Sequence, residues 1–211
     1  MKNIVKAIAL SGPIFLAGCQ AEDIEIEMTA SQLLAAFSGT EQALEFEATV
    51  GEKYTKVDDE KRATIAQISQ DLTEFFPDAD IEVDIENDGY EIEIEGTIAV
   101  SKTAPATGAP YFVKVAEGPL PGSILVTLEP SQTYPNFKAE LSDINFMLSP
   151  DEFQGAEFKV EGAGEKILVF GAYVEGRPTT VAAYELSSQD VRLELGDGIW
   201  KKTAAGFLLL Q

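Results

Sequence analysis

Residues 80–96 read DIEVDIENDGYEIEIEG, and this alternation of aliphatic and acidic side chains constrains the fold more than any other stretch. Period two means extended chain with one dry face and one wet face. Ile81, Val83 and Ile85 share the dry face with Ile92 and Ile94. Glu82, Asp84, Glu86, Glu91, Glu93 and Glu95 take the wet one. Asp88-Gly89 is a hairpin signal. A two-residue turn there pairs Glu86 with Glu91, Asp84 with Glu93 and Glu82 with Glu95. A slip by two residues still sets acid against acid, whereas a slip by one would expose the aliphatic face. Each like-charge pair costs up to about 1 kcal/mol, against a domain stability of about 5–15 kcal/mol. The hairpin therefore tolerates its charge without a ligand.

The same reasoning extends along the chain. Ile24, Ile26 and Met28 alternate with acids, Leu44, Phe46, Ala48 and Val50 alternate with polar residues, and both segments read as strands. Thr29 and Gln32 form a capping-box pattern, which predicts a short helix over 30–37 stopped by Gly39. Asp58 or Asp59 can cap a second helix, with Ile65, Ile68, Leu72, Phe75 and Phe76 on one face and Pro77 at its end. SKTAPATGAP, 101–110, is a linker or loop. Beyond it, YFVKVA, SILVTLE, FKAEL, AEFKVEG, KILVFGAYV, TTVAAYEL, VRLEL and GFLLL read as short strands between turn signals. The expected fold class is α+β. An acidic α+β portion over 24–100, with two helices and a β-hairpin, precedes a mainly antiparallel, sandwich-like β-rich portion over 111–211.

Chemistry is easier to exclude than to assign. The chain has no histidine, which removes the commonest general base, the Ser/His and Cys/His pairs and most zinc sites. It has no phosphate-binding glycine loop and no Gly-x-Ser-x-Gly elbow. The segment 84–95 nearly fits a calcium loop, with Asp84, Glu86, Asp88 and Glu95 at the acidic positions and Gly89 at the sharp turn. The flanking period of two supplies neither of the helices such a loop needs. No cofactor is expected other than calcium at these four residues. With 36 acidic and 15 basic residues the net charge is −21, which argues against nucleic acid and allows a basic partner.

The N-terminus is more specific. Lys2 and Lys6 precede the mostly apolar run AIALSGPIFLAG, shorter than the roughly twenty residues that span a bilayer. The run ends in Leu16-Ala17-Gly18-Cys19, and Cys19 is the only cysteine. This resembles the lipobox of bacterial lipoproteins, a likeness confined to the first nineteen residues. It implies a signal peptide over 1–18, with Leu16, Ala17 and Gly18 as the peptidase motif. It also implies lipid attachment at Cys19, with 19–23 as anchor and short tether. Five residues reach at most about 17 Å, so the folded body is expected close to the membrane. Gln20 after the cysteine implies the outer membrane, periplasmic face. The expected function is a non-enzymatic binding or assembly role in the envelope. The partners are the membrane, through acylated Cys19, and a protein, basic by charge complementarity. Two alternatives stay open: a calcium-dependent module using 80–96, and a carboxylate-dependent hydrolase of envelope polysaccharide.

Overall fold

A computed structural model describes residues 21–53, 55–86, 88–144, 150, 155–187, 190–196 and 206–210. The alternation seen in the sequence becomes burial. In β1 (Ala21–Thr29) Ile24, Ile26 and Met28 are buried, and in β2 (Gln42–Lys53) so are Leu44, Phe46 and Ala48. The other strands are β3 (Asp80–Ile85), β4 (Gly89–Ser101), β5 (Tyr111–Glu117), β6 (Ser123–Pro130), β7 (Ala156–Glu161), β8 (Lys166–Val174), β9 (Arg177–Glu185), β10 (Val191–Leu195) and β11 (Gly206–Leu210). Neighbours run β10-β7-β1-β2-β4-β5-β6-β11-β8, and β8 pairs back to β10. Nine strands thus close a barrel, while β3 hangs on β4 and β9 on β8.

This overturns the expected α+β portion followed by a sandwich. The halves do not segregate. Strands β1, β2 and β4 lie between β7 and β5, joined by the parallel pairings β1–β7 and β4–β5. A sandwich would keep two sheets with free edges; the β10–β8 contact joins the sheet to itself instead. The interior is filled by side chains, with Phe158 of β7 meeting Phe207 of β11 edge to face at 5.9 Å. The terminal GFLLL stretch is the interior strand between β6 and β8.

Three helices complete the described residues: α1 (Ala30–Phe37), α2 (Asp59–Phe75) and α3 (Tyr134–Ile144). α1 has the expected reciprocal cap, the Gln32 N–H donating to Thr29 Oγ1 at 3.2 Å and the Thr29 N–H to Gln32 Oε1 at 2.8 Å. Gly39 follows it at φ +96°. α2 is capped by Asp58, whose Oδ1 accepts from the Lys61 N–H at 3.0 Å. α3 is a helix where FKAEL, 137–141, was expected to form a strand. It packs on α2 and on the barrel through aromatic contacts, Phe137 meeting Phe75 at 5.1 Å and Phe76 at 6.0 Å. Phe76 in turn stacks on Phe46 of β2 at 5.6 Å.

The acidic hairpin differs in register from the expectation. Its ladder pairs Asp80 with Glu95, Glu82 with Glu93 and Asp84 with Glu91, two residues along. Gly89 does not make the turn. Its φ is not in the left-handed range that a two-residue Asp-Gly turn demands. It opens β4 opposite Lys53, where an added Cβ would sit 2.7 Å from the Glu52 carbonyl oxygen. The glycine is required by a close approach to β2, and the Glu86 N–H donates to the Gly89 carbonyl at 3.0 Å.

Candidate functional site

On six consecutive strands the outward side chains are mostly carboxylates. One row crosses all six: Glu194 of β10, Glu157 of β7, Glu25 of β1, Glu47 of β2, Glu95 of β4 and Asp80 of β3, each directly opposite the next. At about 4.8 Å between strands the row is roughly 24 Å long. The facing pairs Glu93–Glu82 and Glu91–Asp84 extend the acid beside its β4–β3 end. On β10, β7, β1, β2 and β4 buried apolar residues behind the acids fix which face they take; on β3 the expected dry face is only partly covered, with Ile81 and Ile85 half-buried and Val83 exposed. An apolar interior under a carboxylate exterior is the reverse of what a membrane-spanning barrel needs on its lipid-facing side. Among the described residues no helix is long and apolar enough to cross a membrane.

Two cations meet this acid, both at one end. Lys159 of β7 donates to Glu25 Oε1 and, at 3.0 Å, to Glu27 Oε1. Arg192 of β10 lies with its Nη1 3.8 Å from Glu157 Oε1, too far for a hydrogen bond, and that oxygen is buried without a partner. Toward β4 and β3 the compensation stops. Among the described residues Glu47, Glu93, Glu95, Glu82 and Asp80 have no ion-pair partner within 4.0 Å. The Glu47 carboxyl is held above its ordinary range by partial desolvation and then by Glu25, Glu93 and Glu95. Desolvation also raises Glu157, opposed by Arg192 and reinforced by Glu25 and Glu194. Lys159 is pushed up, first by its hydrogen bond to Glu25. Beside the two cations the surface dips into a concavity of about 410 Å³, where Lys159 and Arg192 meet Glu27, Glu45, Glu161 and Asp190.

The four calcium candidates are not brought together. Asp84 faces Glu91, and Glu95 lies four pairs along the ladder opposite Asp80. Asp84, Glu86 and Asp88 line a shallow concavity of about 300 Å³ with Lys53, and Glu95 is not part of it. Among the described residues no group of three or more Asp, Glu, His or Cys side chains could hold a metal ion. Leu16, Ala17, Gly18 and Cys19 lie outside the described residues. Glu157, Lys159, Arg192 and Glu194 were not singled out from the sequence. Their local signal is the alternation in AEFKVEG and VRLEL; their place in the row depends on which strands become neighbours. No protein-family profile matches the chain, and no curated protein matches it.

Proposed function

We propose that this chain is an envelope lipoprotein, anchored through acylated Cys19 on the periplasmic face of the outer membrane, with a non-enzymatic role in binding a cationic protein. The observation that carries the reading is the row of six facing carboxylates, uncompensated toward β3. Evenly spaced charge on a rigid sheet attracts a basic surface over about a Debye length and sets its orientation. Only Gln20 separates Cys19 from the first residue of β1, a tether of a few ångströms. Repulsion from anionic headgroups then turns the wall away from the bilayer and toward a partner.

Charge reversal in intact envelopes tests this. The triple variant Glu91→Lys, Glu93→Lys, Glu95→Lys should export and anchor as before but lose its crosslinked partner. If that partner is recovered at the same yield, the acidic wall is not the docking surface and the reading is abandoned.

A further inference from the structure

One edge of β4 carries two partners in succession. β3 pairs with it as far as Glu95, and β5 takes over only at Val100. Gly96 lies against Ala79, and among the described residues the edge over 97–99 has no strand partner. The missing groups can be identified. Ala43, opposite Ala99, points its carbonyl away from β4 and accepts from Gln32 Nε2 at 3.3 Å. Antiparallel pairs alternate between bonded and non-bonded. Thr97 and Ala99 therefore aim their backbone N–H and C=O groups at the open edge. A cleft of about 430 Å³ stands over it, within the size range of ligand sites. Phe76 and Tyr111 form its apolar walls, and the exposed acids Glu41 and Asp78 also line it, with no lysine or arginine among the described lining residues.

We infer that this cleft takes an extended peptide segment of a partner protein bearing a lysine or arginine, which adds to the β4 edge. The backbone of Thr97 and Ala99 pairs with the peptide backbone, as in strand addition. Three residues of strand span about 10 Å, enough for about three peptide residues. Alternate peptide side chains then face opposite ways, one set toward the two rings and the other toward Glu41 and Asp78. The acidic pair and the absence of a lining cation select a basic segment over an acidic one. This surface is separate from the row of carboxylates, and either assignment stands without the other.

The test is fluorescence anisotropy with the full chain and a labelled peptide of alternating lysine and valine, in roughly 0.15 M salt to screen diffuse attraction. Saturable binding is expected, weakened about tenfold or more by Glu41→Lys with Asp78→Lys. A peptide N-methylated at alternate amides keeps its charge but lacks the edge donors, and it should not bind. The triple reversal at Glu91, Glu93 and Glu95 should leave binding in place. Absence of saturable binding, equal binding of the N-methylated peptide, or loss that follows the triple reversal instead of Glu41 and Asp78 would each overturn the assignment.

Discussion

Lys159 holds two carboxylates of neighbouring outward positions with one ammonium group, and its own side chain is only 17% exposed. Replacing it with methionine keeps the packing of the stem and leaves Glu25 and Glu27 facing a row of acid. Lys159→Met should lower stability by about 1–2 kcal/mol, read as a lower urea midpoint at unchanged slope. Glu47 is the opposite case, a carboxylate whose removal helps. Its folded pKa is raised, so its contribution is favourable while it is protonated and is lost as pH rises through the folded value. Glu157 behaves in the same way. The melting temperature should therefore climb as pH falls from neutral into the mildly acidic range. Glu47→Gln should gain about 0.3–0.5 kcal/mol at neutral pH, a small figure because solvent screens this site, and should flatten that climb. A climb of unchanged steepness in the variant would place its origin elsewhere.

Among the elements, α3 and β3 make the sharpest predictions. α3 is bound to the rest by Phe137, which is buried against Phe75, Phe76 and Tyr111. Phe137→Ala should cost about 3–4 kcal/mol, measured by chemical denaturation, because the ring joins α2, α3 and the barrel. β3 has β4 on one side and no strand on the other among the described residues, with Val83 40% exposed. Its acids guard that edge against pairing with another chain. Glu82→Val with Asp84→Val should cost little stability yet cause concentration-dependent association, visible by light scattering; a monodisperse variant would remove that role. α1 and α2 were legible in the sequence because caps and stops are local chemistry, Thr29 with Gln32 at one and Asp58 and Pro77 at the other. α3 was not, although Tyr134, Phe137 and Leu141 lie at helical spacing. FKAEL, 137–141, alternates over five residues and reads as a strand, and Pro135 falls in the first turn of the helix, where a missing N–H costs nothing.

At the scale of the whole molecule, charge and closure set the behaviour. A net charge of −21 makes self-repulsion general, so added salt should raise the melting temperature smoothly. Calcium at a few millimolar should raise it no more than magnesium does, because Glu95 lies four pairs from Asp84 and no three acids converge among the described residues. A calcium-specific rise abolished by Asp84→Asn and Asp88→Asn would restore the calcium-dependent alternative. The sequence by itself determined the inward-facing side chains of β1, β2 and β4, since period-two alternation is a property of one strand with itself, whereas β3 leaves Val83 exposed because no element covers it fully. It also determined the caps of the first two helices and the acid-against-acid pairing of the hairpin, which survives a two-residue shift. Only the tertiary structure decided the register of that hairpin, through the close approach of Gly89 to Glu52, and the joining of both halves in one barrel. It alone set Glu157 beside Glu25, residues far apart in the chain, and so turned separate acidic strands into one continuous row. Alternation says which way a side chain points, but not which strand lies next to it; that is settled by long-range pairing and by how the sheet closes.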